Sequence, residues 1–91
     1  MNVTVHIPTA FRRHTNGVEK FECSATNLDE VVDTLEAHFP ELKPHLRDQD
    51  GKIRRYLNIY VNDEDIRFLG ANHLFNEGDE ITLVPSIAGG K

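Results

Sequence analysis

The residues best suited to chemistry lie in the last stretch of the sequence, VPSIAGGK, which spans 84–91. Gly89 and Gly90 carry no Cβ, so a segment ending in them can thread a narrow channel in another protein. A free carboxylate at Gly90 can be adenylated by ATP, and the resulting mixed anhydride accepts a sulfur nucleophile with AMP as the leaving group. Ile87 offers one apolar anchor. These residue types favour a tail that another enzyme activates.

The other reactive side chains form no catalytic or metal-binding pattern. Five histidines are present, but none has a ligand spacing such as HExxH. Cys23 alternates in phase with Phe21 in a predicted strand, which favours inert packing on the inward face over a nucleophilic role. The carboxylates between Asp29 and Glu36 fall on the solvated face of a predicted helix. We therefore expect no catalytic residue, no metal site and no cofactor bound by this chain.

Two short basic runs stand out in an acidic chain of net charge −5. They are FRRH, at 11–14, and KIRR, at 52–55. Both are too short for nucleic-acid binding, which needs a broad basic surface, and both are interpreted as local interaction points. The overall charge suits a basic partner or the basic cleft of an enzyme.

Composition and length place further bounds on the protein. The 91 residues suffice for one small domain, and the single cysteine excludes an internal disulfide. No apolar run approaches the roughly 20 residues that span a bilayer, and the first residues lack the pattern of a secretory signal. We expect a cytoplasmic protein with neither nucleic-acid nor membrane partners.

Hydrophobic spacing predicts one domain over 1–85, with the element order β-β-α-β-β-β, followed by a flexible tail over 86–91. Alternating residues predict an N-terminal hairpin and three later strands, at NVTVHIP, EKFECSA, RYLNIYVN, IRF and EITLVP. The IRF strand, 66–68, would return after a tight turn at NDED. Pro85 lacks an N–H, so we expect sheet pairing to end there and the chain to leave the sheet.

A helical spacing of apolar residues runs from Leu28 to Phe39. Asn27 is a fitting N-cap, Glu30 completes a capping box, and Pro40 stops the helix near His38. Together the elements indicate an α+β fold, with one mixed sheet of four to five strands and one main helix across a face. Pairing the first hairpin with the last strand gives the β-grasp, or ubiquitin-like, arrangement.

Several stretches of the sequence resemble those of a known family. VPSIAGG following GDEITL resembles the C-terminal signature of the ThiS/MoaD family of ubiquitin-like sulfur carrier proteins. The stretches LNIYVNDEDIRFLG and MNVTVHIPTAFR resemble the actinobacterial subgroup that carries sulfur for cysteine biosynthesis. The resemblance covers nearly the whole chain.

The resemblance implies a mechanism and three partners. An ATP-dependent activating enzyme, related to those of ubiquitin, adenylates Gly90, and sulfur replaces AMP to form a thiocarboxylate. A sulfur-accepting enzyme, in this subgroup a pyridoxal-phosphate cysteine synthase, takes the sulfur, and a JAMM-type zinc metalloprotease releases the cysteine formed on the carrier. Phe68, Leu69 and Ile87 are the implied partner contacts. The implied tail comprises Ile87, Ala88, Gly89 and Gly90.

Two positions depart from the family pattern. Ser86 stands where many relatives carry a second proline, and Lys91 follows Gly90. A Gly90 carboxylate exists only after Lys91 is removed, which makes Gly90–Lys91 a processing site if Lys91 is native; the residue is alternatively a remnant of expression. Three other functions stay open: a molybdopterin or thiamine sulfur carrier, a ubiquitin-like modifier conjugated through Gly90, and a pure interaction module.

Overall fold

Five strands form one mixed sheet in the part of the chain that the computed structural model describes, residues 1–70 and 72–86. In chain order they are β1 (Asn2–His6), β2 (Lys20–Ser24), β3 (Leu57–Val61), β4 (Glu64–Asp65) and β5 (Glu80–Pro85). Their spatial order is β2-β1-β5-β3-β4. The central pair, β1 and β5, is parallel, and the other neighbours are antiparallel. First and last strands thus meet at the centre of the sheet, which confirms the predicted β-grasp arrangement.

Apolar and polar residues alternate along the strands, so one face of the sheet is apolar and is buried. Val5 on β1 lies beside Ile81 on β5, and Ile81 lies beside Val61 on β3. These three side chains belong to one continuous core that packs between the sheet and the helix layer. In the last two long strands, β3 and β5, the alternate apolar residues are all buried: Leu57, Ile59, Val61, Ile81 and Leu83.

The main helix, α1 (Leu28–His38), has the predicted bounds. Asn27 Oδ1 accepts a hydrogen bond from the Glu30 N–H at 3.0 Å, and Glu30 Oε1 accepts one from the Thr26 N–H at 2.6 Å. These bonds satisfy amides that the first helical turn leaves without partners. Within the described residues, no helix has the length and apolarity needed to cross a membrane.

Short helical segments connect the larger elements. A 3₁₀ helix over Thr9–His14, which was not predicted, connects β1 to β2 along the chain. Its Phe11 side chain is buried. A second 3₁₀ turn over Pro40–Leu42 leads into α2 (Lys43–Leu46).

The strand predicted at Ile66–Phe68 is wrong. The return strand is only β4, and α3 (Ile66–Leu69) follows as a single helical turn. The Asp65 carboxylate accepts a hydrogen bond from the Arg67 N–H at 2.8 Å and pairs with the Arg67 guanidinium at 2.7 Å. An aspartate N-cap satisfies the first helical amides, so the backbone turns into a helix instead of continuing the sheet.

Arg47, which follows α2, forms ion pairs with the main helix. Its guanidinium donates to Asp33 at 2.7 Å and lies 3.4 Å from Glu36 and 3.7 Å from Asp29. The hydrogen bond to Asp33 is the main cause of a raised Arg47 pKa. Three carboxylates on one helix thereby hold segment 43–54 in place beside the end of the sheet.

Candidate functional site

The strand that leads to the C-terminal segment is held on both sides. β5 pairs with β1 over Glu80–Thr82 and with β3 over Ile81–Pro85. Ile81 and Leu83 point into the core and are almost wholly buried. β5 has two neighbours only as far as Thr82, and its last residues, Leu83–Pro85, pair with β3 alone, so the residues that follow Pro85 continue from a strand end that β3 holds in place.

β5 ends at Pro85, as predicted, but one further backbone hydrogen bond to the neighbouring chain segment follows it. Pro85 pairs with Leu57, and the next residue, Ser86, donates its N–H to the Tyr56 carbonyl at 2.6 Å. That bond flanks the Leu57–Pro85 pair, which is therefore a non-hydrogen-bonded pair of the antiparallel ladder. At such a position the amide of residue 85 would point away from β3, so the missing proline N–H leaves the ladder intact.

The predicted chemistry lies on residues outside the described ranges. These are the tail residues Ile87, Ala88, Gly89 and Gly90, together with the Gly90–Lys91 processing junction. Their roles, and the boundary drawn between 85 and 86, stay predictions. Ser86 is the last described residue, and it remains bonded to the sheet.

The two described partner-contact candidates differ in their surroundings. Phe68 exposes 83% of its surface on α3, whereas Leu69 is half-buried and packs against the core. α3 follows the outer edge strand β4 and contacts both β3 and β4. Phe68 is thus available to a partner, while Leu69 mainly attaches α3 to the domain.

Cys23 lies on β2, beside Val3 of β1, and is half-buried against the core. Burial raises the pKa of its thiol. The protonated thiol is the unreactive form, so this environment suits packing and not nucleophilic chemistry. Among residues 1–70 and 72–86, no group of three or more His, Cys, Asp or Glu side chains is arranged to hold a metal ion.

A groove beside the last described residues escaped the sequence prediction. We call it the tail-root groove, and it is lined by Ala10, Phe11, Arg13, His14, His45, Tyr56, Pro85 and Ser86. Its volume is about 370 Å³. The His14 and His45 rings stack within it, with centroids 4.5 Å apart and planes at 27°. FRRH, which supplies Phe11, Arg13 and His14, was its signal in the sequence, but only folding brings this segment beside His45, Tyr56 and Pro85.

The described fold defines a class: a ubiquitin-like β-grasp protein whose central strand runs out toward the C-terminal segment. The ThiS family model matches residues 5–90. The chain is also 44% identical to the sulfur carrier protein CysO of Mycobacterium tuberculosis, over 99% of this chain and 100% of that protein. It therefore belongs to the ThiS family and is a homologue of a sulfur carrier protein.

Solved structures agree with this assignment. A chain of the Amycolatopsis orientalis BexX/CysO complex superposes with a TM-score of 0.83 at 39% identity, over 97% of this chain and 99% of that chain. The small archaeal modifier protein SAMP1 of Methanosarcina acetivorans superposes with a TM-score of 0.87 at 25% identity, over 98% of this chain and 96% of that chain.

Proposed function

We propose that this chain is a sulfur carrier that holds sulfur as a thiocarboxylate on Gly90 and serves cysteine biosynthesis. The observation that carries the proposal is the 44% identity to CysO over essentially the full length of both chains. The family match also extends to residue 90, so the Gly-Gly pair falls within it. The fold supports the same use, because β5 gives the segment after Ser86 a fixed starting point.

The chemistry takes place in two displacement steps. A carboxylate oxygen of Gly90 attacks the α-phosphorus of ATP, and the bond to pyrophosphate breaks. Sulfide, as HS⁻, then attacks the acyl carbon, the bond to AMP breaks, and loss of the proton from sulfur leaves the thiocarboxylate. The carrier supplies the acyl group and its presentation, and the activating enzyme supplies the catalytic groups and binds ATP.

Three enzymes act on the carrier under this proposal. They are a ubiquitin-activating-type adenylating enzyme, a pyridoxal-phosphate cysteine synthase that accepts the sulfur, and a JAMM-type metalloprotease that frees the product. The carrier itself is non-catalytic. Phe68 is the described side chain best exposed for such contacts, and a reducing cytoplasm is the setting that fits the single thiol of Cys23.

Intact mass spectrometry of the protein isolated from its native host tests the proposal. We expect a species ending at Gly90 whose mass differs from the free acid by the replacement of one oxygen with one sulfur. A variant lacking Gly89 and Gly90 should keep the melting temperature of the parent and lose adenylation, measured as pyrophosphate exchange. Absence of the sulfur-bearing species, with no exchange by the Gly90-terminated chain, would refute the proposal.

A ubiquitin-like modifier is the second candidate function, and the similarity to SAMP1 favours it. The two functions share activation of Gly90 and differ in the acceptor. Conjugation would produce isopeptide adducts on lysines of other proteins, which survive both denaturant and thiol reductant. An affinity-tagged chain expressed in the native host separates the two: adducts indicate a modifier, and a thiocarboxylate without adducts indicates a carrier.

A further inference from the structure

Basic side chains from two segments line the tail-root groove, and one from a third, Arg54, lies beside it above the Tyr56 ring. Arg13 and His14 come from the first 3₁₀ helix, His45 from α2, and Arg54 from the chain before β3. The pKa of His45 is lowered, chiefly by burial and then by the positive charges of His14, Arg13 and Arg54. These groups therefore face one another closely enough to interact, although the whole chain has a net charge of −5.

Carboxylates of the domain neutralise this cluster only in part. Glu41 Oε1 lies 3.4 Å from His14 Nδ1, and it is well exposed. Arg54 donates its Nε–H to the Pro44 carbonyl at 2.6 Å and is one of several groups that lower the pKa of Asp48. Among the described residues, no carboxylate lies within ion-pair distance of either Arg13 or Arg54. The guanidiniums of Arg13 and Arg54 can therefore form ion pairs with a carboxylate of another protein.

The walls of the groove are apolar as well as cationic. Phe11 is buried beneath it and packs against the His45 ring with centroids 5.6 Å apart. Tyr56 is exposed, donates its hydroxyl to the His45 carbonyl at 3.3 Å, and carries Arg54 above its ring at 6.0 Å. A surface with fixed aromatic rings and free guanidiniums suits a side chain bearing a carboxylate, flanked by an apolar neighbour.

The position of the groove indicates which partner uses it. Pro85 and Ser86 form one wall, so the groove lies directly beside the start of the segment that carries Gly90. An enzyme that binds the residues after Ser86 must bring its own surface against this wall. The chain as a whole has a net charge of −5, so the unpaired guanidinium of Arg13 in the groove is opposite in sign to the charge of the whole molecule.

We propose that the tail-root groove is a docking surface for a carboxylate-bearing segment of the activating enzyme. The inference rests on the proposed function, because it identifies a partner surface for adenylation. An aspartate or glutamate of the enzyme pairs with the Arg13 guanidinium, with the Arg54 guanidinium nearby, and an adjacent apolar residue packs on Phe11 and Tyr56. Complementary charges of this kind increase the rate of association and make it sensitive to salt.

Charge reversal at Arg13 tests this surface. Arg13→Glu, Arg13→Gln and the parent, each ending at Gly90, are compared in pyrophosphate exchange with the activating enzyme of the same host. We expect the carrier's KM to rise about tenfold for Arg13→Glu, and less for Arg13→Gln, with kcat unchanged. Added salt should raise the KM of the parent and affect that of Arg13→Glu much less. Lys20→Glu is the matched control, because Lys20 is exposed on β2 and does not line the groove.

The possible outcomes distinguish failure of the docking surface from failure of the proposed function. Parent-like KM values for both Arg13 variants, in a chain that is adenylated normally, overturn the docking surface and leave the sulfur carrier in place. A parent chain that the enzyme does not adenylate at all overturns the proposed function and this inference with it. Thermal unfolding of each variant checks that it is folded. Because the Arg13 side chain is exposed, we expect the melting temperatures to stay unchanged.

Discussion

At the scale of single residues, Cys23 is held in an unreactive environment. Its thiol is half-buried against the core and has a raised pKa. We therefore expect Cys23→Ser to keep full sulfur loading by the activating enzyme. Placing a hydroxyl against apolar neighbours should lower the free energy of unfolding by about 1 kcal/mol. Thiocarboxylate formation, followed by mass spectrometry, would have to fail in a folded variant for Cys23 to regain a chemical role.

Phe68 and Leu69 are adjacent in sequence and differ in their packing, which makes them a matched pair. Phe68→Ala should change the free energy of unfolding by less than about 0.5 kcal/mol, because 83% of the residue is already exposed. Leu69→Ala should destabilise measurably, since Leu69 packs against the core. If Phe68 contacts a partner, Phe68→Ala raises the KM for the activating or sulfur-accepting enzyme. Parent-like kinetics with both enzymes would remove Phe68 from the predicted contacts.

At the scale of elements, Asp79 joins the turn after β3 to the start of β5. Its buried carboxylate accepts hydrogen bonds from the Asn62 side-chain amide and from the Asn76 N–H, both at 2.8 Å. Asp79→Ala leaves two donors without partners, so we expect a loss of about 2 kcal/mol in chemical denaturation. Glu64→Ala, at an exposed residue of β4, is the control. Equal stability of the two variants would contradict a structural role for Asp79.

Comparison of the elements shows which features of the fold could be predicted from the sequence. α1 was predictable because its N-cap, its apolar spacing and Pro40 all act locally. α3 was missed because one local hydrogen bond, from the Arg67 N–H to Asp65, outweighs the alternating pattern of IRF. The tail-root groove could not be predicted, because it depends on the packing of segments around residues 13, 45, 56 and 86. Local rules identify single elements, whereas a site assembled from several elements requires the tertiary structure.

At the scale of the whole molecule, the buried core that stabilises the fold lies apart from the segment that we propose to be activated. The core lies between the sheet and α1, and the central strand β5 carries the chain past the end of the sheet at Ser86. The residues that the resemblance implicates in chemistry come after this point. Under the proposed function, activation, loading and trimming would all involve residues after Ser86, and we expect the folded domain to stay unchanged during these steps.

The residue after Gly90 gives the last prediction. While Lys91 is attached, the Gly90 carbonyl belongs to an amide whose nitrogen lone pair is delocalised, and its oxygen is a poor nucleophile toward phosphorus. Lys91 offers its own carboxylate one residue further along, on a carbon with a long cationic side chain. A channel shaped for glycine should exclude that side chain, and burying an unpaired ammonium adds several kcal/mol. We expect pyrophosphate exchange with the form ending at Gly90 and none with the 91-residue form until a JAMM-type protease has trimmed it. Comparable exchange by both forms, with mass spectrometry showing Lys91 still attached, would mean that Lys91 is no block to activation.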